Sequence, residues 1–152
     1  MVYPNTFKAS VYVILEKDGM VPVFLRKNTK WLKGFHTIPA GKAEPEEGLM
    51  ASAIRETEEE IGVKLDPNDL ELVHTQYRNH YRENDIWVGC FFKAKKWTGE
   101  PTNMEPAIHG DIEWRRYDDL PEPMVPYVKV ALDAWRQGKA YSEYKEEKQY
   151  DH

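Results

Sequence analysis

The stretch GKAEPEEGLMASAIRETEEEIGV, residues 41–63, decides the fold. Apolar and small side chains recur in it at helical spacing, and Gly62 provides a natural helix end. These side chains are Met50, Ala53, Ile54, Thr57 and Ile61. At about 100° per residue, Glu56, Glu59 and Glu60 form a second stripe beside the apolar one, although like charges at this spacing destabilise a helix. Spacing alone leaves two interpretations of this stripe, a solvated acidic face and a cation-binding site.

Composition limits the class of protein. The chain has 152 residues, of which 41% are hydrophobic, so it has the size of one domain with a buried core. Its formal net charge of −5 argues against a nucleic-acid polymer or an anionic membrane as partner. No apolar run approaches the length of a membrane span, and the N-terminus lacks the pattern of a signal peptide. Cys90 is the single cysteine, so no intramolecular disulfide can form, and a cytoplasmic location is predicted.

The rest of the sequence predicts strands on both sides of the helix. A hairpin is predicted over residues 9–26, with its turn at residues 17–19, and the helix should occupy residues 45–62. Further strands are predicted at LELVHTQYRNH, DIWVGCFFKAKKW and DIEWRRYDDL, followed by an amphipathic helix in MVPYVKVALDAWRQG. We expect one mixed α/β sandwich, with its core at about 9–138 and a polar tail at 139–152 that frays.

The spacing of residues 41–63 resembles the signature of the Nudix hydrolases, G-x5-E-x7-R-E-U-x-E-E-x-G-U, in which U is a bulky apolar residue. The fixed positions are all matched, by Gly41, Glu47, Arg55, Glu56, Glu59, Glu60 and Gly62. Thr57 stands where the family prefers an aliphatic residue, and its branched methyl group should change the packing only slightly. The resemblance is to compact, MutT-like members of the family. It implies a single domain built as an α/β/α sandwich, with a mixed β-sheet between helices.

The resemblance also implies a metal site in the acidic stripe. Glu56, Glu59 and Glu60 would hold one or more Mg²⁺ (or Mn²⁺) ions, because hard divalent cations choose oxygen ligands. The backbone carbonyl of Ala40 would be a further ligand. In this interpretation, the repulsion within the stripe is relieved when the cation binds.

Three further positions of the resemblance would support the reaction. Arg55 offers only hydrogen-bond donors, so it would orient a glutamate of the helix instead of binding the metal. Glu47 would anchor the loop that leads into the helix. Glu105, in the loop EPTNMEP, matches the place of an additional acidic ligand or base. It shares with Glu56 the candidate role of accepting the proton from the attacking water.

Substrate recognition is less well defined by the sequence. The candidate phosphate contacts are Arg26, Lys27 and Lys42, and the candidate rings for stacking on a base are Phe35 and Tyr77, followed by Trp31, His36 and Trp87. The histidines His74, His80 and His109 do not have the spacing of metal ligands. No particular base can be assigned from these residues.

These features together predict a Mg²⁺-dependent hydrolase of a nucleoside diphosphate-linked compound. The favoured substrate is a small molecule, an ordinary, oxidised or modified (deoxy)nucleoside triphosphate, which a monomer or homodimer would split to a monophosphate and pyrophosphate. ADP-ribose and dinucleoside polyphosphates are alternative substrates. A non-catalytic nucleotide-binding module of the same fold would be expected to have lost catalytic glutamates. An isoprenoid diphosphate isomerase of the same fold would need a reactive cysteine, whereas Cys90 lies in an apolar strand.

Overall fold

The described residues, 6–80 and 84–146 of the computed structural model, form eight strands and two α-helices. The strands are β1 (Thr6–Leu15), β2 (Met20–Leu25), β3 (His36–Thr37), β4 (Ala40–Lys42), β5 (Leu70–His80), β6 (Asp85–Ala94), β7 (Glu113–Arg116) and β8 (Tyr141–Lys145). The helices are α1 (Leu49–Ile61) and α2 (Pro126–Arg136), with short 3-10 turns at Pro67–Asp69 and Tyr117–Asp119. Within the described part of the chain, no helix is long and apolar enough to cross a membrane.

The larger sheet is mixed and lies between the two helices. Its strand order is β4-β1-β6-β5-β8, in which the β1–β6 and β5–β8 pairs are parallel and the β1–β4 and β5–β6 pairs are antiparallel. Successive residues of β1 point to opposite faces of the sheet. Val13 belongs to the same buried cluster as Ile61 of α1, whereas Ile14 belongs to the cluster that contains Leu132 of α2. The predicted mixed sheet between helices is therefore confirmed.

The first two strands form as predicted, but they do not build a hairpin. Asp18 and Gly19 adopt the left-handed backbone expected of the turn, and Lys17 and Met20 form an isolated antiparallel bridge. Beyond it, β1 pairs with β4 and β6, whereas β2 pairs with β3 and β7 in a second, three-stranded antiparallel sheet. The turn residues determine only the chain reversal, because β1 is a buried strand that takes a partner on each of its edges.

Both helices start and end where local chemistry allows. α1 begins at Leu49, later than predicted, because residues 44–47 form a turn in which the Glu47 amide donates to the Glu44 carbonyl at 3.2 Å. It ends at Gly62, whose φ of 70° is the left-handed conformation that glycine adopts without strain. Pro126 occupies the first turn of α2, where a proline costs no hydrogen bond, so it begins this helix instead of interrupting it.

The C-terminal segment corrects the prediction of a frayed tail at 139–152. β8 pairs in parallel with β5 and completes the large sheet. Arg78 of β5 donates from Nη1 to Glu146 Oε2 at 2.9 Å, and both side chains are buried. The Arg78 guanidinium also lies 4.0 Å from the ring centroid of Tyr127. The polar sequence did not indicate a strand because its outward side chains face solvent while its backbone pairs; residues 147–152 lie outside the described chain.

Glu146→Gln should lower the free energy of unfolding by about 3 kcal/mol, because Arg78 would then be buried without an opposite charge. Urea unfolding followed by tryptophan fluorescence measures the change. The matched control is Glu143→Gln, on the exposed side of β8, which should change stability by less than about 0.5 kcal/mol. Equally small effects of both substitutions would show that the ion pair contributes nothing to holding β8.

Candidate active site

Two glutamate side chains of α1 lie against the backbone of β4. The amide of Ala40 donates to Glu60 Oε1 at 2.7 Å, and Glu60 exposes only 8% of its surface. One turn earlier, the Glu56 carboxyl lies against Gly41, where a Cβ would overlap the carbons of the Glu56 side chain. Glycine at position 41 therefore permits this close approach, because a larger residue would displace either the Glu56 side chain or β4. The signature glycine and the acidic stripe are thus parts of one site.

Arg55 connects the loop before α1 to the acidic stripe. Its Nε and Nη2 donate to Glu47 Oε1 at 3.0 and 2.6 Å. Its Nη1 donates to Glu56 at 3.0 Å and to Glu59 at 3.2 Å. The hydroxyl of Ser52 adds a further hydrogen bond to Glu47 at 2.7 Å. Glu47 therefore fastens the loop to α1, while Arg55 orients two carboxylates of the stripe.

A loop that follows β6 brings a fourth carboxylate to the end of α1. The amides of Thr102 and Met104 donate to carbonyl oxygens in the last turn of α1 at 2.8 and 3.1 Å, which satisfies acceptors that a helix end leaves open. On the other side of the loop, the amide of Gly110 donates to the carbonyl of Leu25 at 2.9 Å. Glu105 lies between these two attachments, so its carboxyl is carried to the acidic stripe.

Within the described residues, a group of potential metal ligands contains a residue that the sequence did not reveal. Glu60, Glu105 and His109 each place one ligand atom within 4.8 Å of the other two. His109 Nε2 is 3.8 Å from Glu60 Oε2. Its spacing from the other histidines gave no signal, because its partners are carboxylates. The available signal was the four-residue separation from Glu105, which here becomes a hydrogen bond from the His109 amide to the Glu105 carbonyl at 3.0 Å.

Burial and mutual repulsion raise the pKa values of the acidic side chains. Burial raises the pKa of Glu60 well above its ordinary value, and the charges of Glu56 and Glu105 raise it further. The pKa values of Glu56 and Glu105 are also raised, in each case mainly by burial. Burial, followed by the charge of Arg26, lowers the pKa of His109 to about 4, so the imidazole is neutral at pH 7. Repelling carboxylates and a neutral imidazole fit a divalent cation as ligands.

The predicted metal ligands are only partly assembled into one group. Glu60 lies in the tight group with Glu105 and His109, whereas Glu56 and Glu59 are hydrogen-bonded to Arg55. The Glu59 side chain is also 55% exposed. At position 40, the contact to Glu60 comes from the backbone amide, so the role of the Ala40 carbonyl stays a prediction.

Comparisons with known proteins identify the family of this chain. The family model of the NUDIX domain matches residues 5–135. The chain belongs to the Nudix family.

Relatives of this Nudix hydrolase are similar over most of their length. The "RNA pyrophosphohydrolase" of Erythrobacter litoralis (strain HTCC2594) is 26% identical over 138 residues, covering 80% of this chain and 83% of the relative. The "Uncharacterized Nudix hydrolase YvcI" of Bacillus subtilis (strain 168) is 28% identical over 130 residues, covering 83% of this chain and 77% of the relative. The crystal structure of a MutT NUDIX hydrolase from Burkholderia pseudomallei matches with a TM-score of 0.74 at 27% identity, covering 84% of this chain and 96% of that chain.

The three residues of the Nudix hydrolase that were predicted to contact phosphate differ in their exposure and in their neighbours. Arg26 donates from Nε and Nη2 to the carbonyl of Trp31 at 3.1 and 2.9 Å, so it closes the loop after β2. Lys27 is exposed beside this loop. Lys42 is exposed at the end of β4, and its Nζ lies 5.6 Å from the ring centroid of Trp87. Of the three cations, Lys42 therefore combines closeness to Ala40 of β4 with access to solvent.

The two predicted stacking rings of the Nudix hydrolase lie in different places. Phe35 packs against the core on the α2 side and lines an open groove of about 720 Å³ that is bordered by the turn before α2. Tyr77 lies on β5, three strands away from β4 in the large sheet. At about 4.8 Å per strand, this separation is about 14 Å. The structure therefore does not bring Tyr77 to the carboxylates of α1.

The single cysteine of the Nudix hydrolase is part of its core. Cys90 exposes 5% of its surface and belongs to the buried cluster on the α1 side of the sheet. Burial raises the pKa of its thiol. A reactive cysteine needs a thiol that is accessible and that ionises readily. The Cys90 thiol is buried and its pKa is raised, so it meets neither condition.

The Glu47 carboxylate should make the stability of this Nudix hydrolase sensitive to acid. Hydrogen bonds from Arg55 and then from Ser52 lower the pKa of Glu47 to about 2. A carboxyl group whose pKa is lowered by folding stabilises the fold above its unfolded pKa of about 4.3, and this contribution is lost as the pH falls through the folded pKa. Between about pH 4.5 and about pH 2, the Tm of wild type should therefore fall more steeply than that of Glu47→Gln. Thermal unfolding measures both slopes, with exposed Glu46→Gln as control; parallel wild-type and Glu47→Gln curves would contradict the prediction.

Proposed function

We propose that this Nudix hydrolase splits a nucleoside triphosphate into a nucleoside monophosphate and pyrophosphate, with Mg²⁺ or Mn²⁺ as cofactor. The observation that carries the proposal is the convergence of Glu60 and Glu105, with Glu56 alongside, where burial raises the pKa of each carboxyl. The names of the relatives, an RNA pyrophosphohydrolase and a MutT hydrolase, support it. A divalent cation bound there would neutralise phosphate charge and orient the phosphorus toward an attacking water.

In this proposal, the residues of the chain position the reacting groups in advance. Arg55 holds Glu56 and Glu59, and the Ala40 amide holds Glu60, so these carboxylates need little reorganisation when the substrate arrives. Glu56 and Glu105 are the two candidates for accepting the proton from water. Glu56→Gln and Glu105→Gln distinguish them, because the proton acceptor is the residue whose loss stops turnover while cation binding is retained.

A ring of β6 that is bordered by cations, Trp87, supports an aromatic and anionic substrate. The ammonium groups of Lys8 and Lys42 lie 5.1 and 5.6 Å from the ring centroid of Trp87. Lys42 is two residues beyond Ala40, the residue that contacts Glu60. Lys8 also pairs with Asp85 at 2.9 Å, whereas Lys42 is exposed. A nucleotide combines a ring for aromatic contact with phosphates for Lys42, so its chemistry matches this surface.

We also propose that the enzyme works in the cytoplasm, as a monomer or homodimer. The buried, unpaired cysteine supports a reducing compartment. A non-catalytic nucleotide-binding module is the competing function, and the complete set of signature glutamates argues against it.

A substrate panel tests the proposal. It contains ordinary, oxidised and methylated nucleoside triphosphates, dinucleoside polyphosphates and ADP-ribose, each with Mg²⁺ or Mn²⁺ and with products identified by chromatography. A short RNA with a 5′-triphosphate is added because one relative is named an RNA pyrophosphohydrolase. We expect a preferred nucleoside triphosphate to yield monophosphate and pyrophosphate with wild type and with Glu58→Gln, an exposed position of α1, but not with Glu59→Gln.

The other outcomes of the panel are equally informative. Preferred turnover of ADP-ribose, a dinucleoside polyphosphate or the RNA would assign a different substrate to the same site. No turnover by a protein that binds Mg²⁺ would favour the binding module. Cys90→Ala should retain the activity of wild type, and loss of activity in a folded Cys90→Ala would revive the isomerase.

A further inference from the structure

His109 faces the carboxylates of the site from a fixed position. Its side chain is buried, with 5% of the residue exposed, and its ring packs against Phe24 at a centroid distance of 4.6 Å. The side-chain amide nitrogen of Asn103 donates to the His109 carbonyl at 3.0 Å, and the Asn103 side-chain oxygen accepts from the Glu105 backbone amide at 3.0 Å. Asn103 therefore ties together the two loop residues that reach Glu60.

The distances among Glu60, Glu105 and His109 fit ligands of one metal ion better than direct hydrogen bonds between these side chains. The 3.8 Å between His109 Nε2 and Glu60 Oε2 is too long for a hydrogen bond. A cation bonded at about 2.1 Å holds neighbouring ligand atoms about 3 Å apart and opposite ones about 4.2 Å apart. The 3.8 Å separation lies within this range, and one atom each of Glu60, Glu105 and His109 lies within 4.8 Å of the other two, a bound slightly wider than one ion spans. A small closure of the loop would bring all three atoms to one ion.

We propose that His109 is a nitrogen ligand of the metal site and shifts its preference from Mg²⁺ toward transition-metal ions such as Mn²⁺ and Co²⁺. Mg²⁺ is a hard cation that selects oxygen, whereas imidazole nitrogen suits first-row transition metals. The His109 ring is already held in place by Phe24 and the backbone of the loop. Binding a metal ion would therefore cost this side chain little conformational entropy. This inference rests on the proposed function only for the presence of a divalent cation at the site.

The test detects the nitrogen directly instead of relying on activity. Mn²⁺ is bound to the purified full-length protein, and electron spin echo envelope modulation records the coupling of ¹⁴N to the ion. We expect ¹⁴N modulation in wild type, its loss in His109→Gln and its retention in His36→Gln, a partly buried histidine that is hydrogen-bonded to the Pro123 carbonyl. Glutamine keeps a polar side chain of similar reach but removes the imidazole.

Calorimetric titration provides the second measurement. His109→Gln should lower the affinity for Co²⁺ about tenfold and change the affinity for Mg²⁺ by less than about twofold. Absence of ¹⁴N modulation in wild type with bound Mn²⁺, its survival in His109→Gln, or failure of Mn²⁺ to bind would each overturn the proposal. If His109→Gln does not fold, His109→Asn replaces it in both measurements. Modulation without hydrolysis of any substrate would instead contradict the proposed function and leave His109 as a ligand.

Discussion

Glu60→Gln should reduce turnover about 1,000-fold and, without metal at pH 8, should make the protein more stable than wild type. Turnover falls because the buried carboxylate next to Glu105 and His109 is lost from the candidate cation site. Stability rises because burial raises the pKa of Glu60, so the folded wild type binds more protons than the unfolded chain above an ordinary pKa of about 4.3. The stability of wild type therefore falls as the pH rises through this window, and glutamine, which does not ionise, avoids the loss.

Two measurements check this expectation for Glu60→Gln. Steady-state kinetics gives the change in turnover, and thermal unfolding with and without Mg²⁺ or Mn²⁺ gives the change in metal-linked stability. Wild type should gain stability with the cation and the variant should not, since a ligand stabilises only the state that binds it. Glu58→Gln, an exposed glutamate of the same helix, should behave as wild type in both measurements. Retained turnover, or equal Tm increases in wild type and Glu60→Gln, would remove Glu60 from the metal site.

Gly41→Ala should reduce turnover about 100-fold and lower the Tm by about 5 °C, because its methyl group would overlap the Glu56 side chain. The backbone at Gly41 is not in the left-handed region, so overlap alone causes the effect. Relief requires β4 to move away from α1 or Glu56 to leave its position beside the site. Either movement separates the Glu56 carboxylate from β4.

The chain offers a matched control for Gly41→Ala. Gly48 precedes α1 in an extended conformation, with φ of −73°, and a Cβ added there would meet nothing within 4 Å. Gly48 is the N-cap of α1, where alanine is less favourable than glycine, so Gly48→Ala should leave turnover unchanged and lower the Tm less than Gly41→Ala does. Equal Tm and turnover for both alanine variants would show that the contact between Gly41 and Glu56 is not needed.

Much of the site was predictable because it is encoded in one continuous segment. The signature predicted α1, its glycine end and the anchoring of the loop by Glu47, which the structure shows as hydrogen bonds to Arg55 and Ser52. Helical geometry relates residues three and four positions apart, so it could place Glu56, Glu59 and Glu60 in one stripe. It could not show that Glu60 is the most buried of them, because that depends on packing against β4.

Contacts between segments that are distant in the sequence could not be predicted from local sequence patterns. His109 joins Glu60 only because the loop after β6 is attached to both α1 and β2, and these attachments are backbone hydrogen bonds that no side-chain motif encodes. The predicted hairpin of β1 and β2 did not form for the same reason. Turn chemistry at Asp18 and Gly19 correctly predicted a reversal, but strand pairing is decided by the partners available to each edge.

The strand β8 also determines what the large sheet presents to other molecules. Without it, β5 would be the outer strand, and its backbone donors and acceptors from Thr75 to Asn79 would be open to pairing with another chain. β8 covers this row and places Glu143 and Lys145 on its own exposed face, where charge discourages further strand addition. This short polar segment thus covers the edge of β5 with a strand that carries charged side chains.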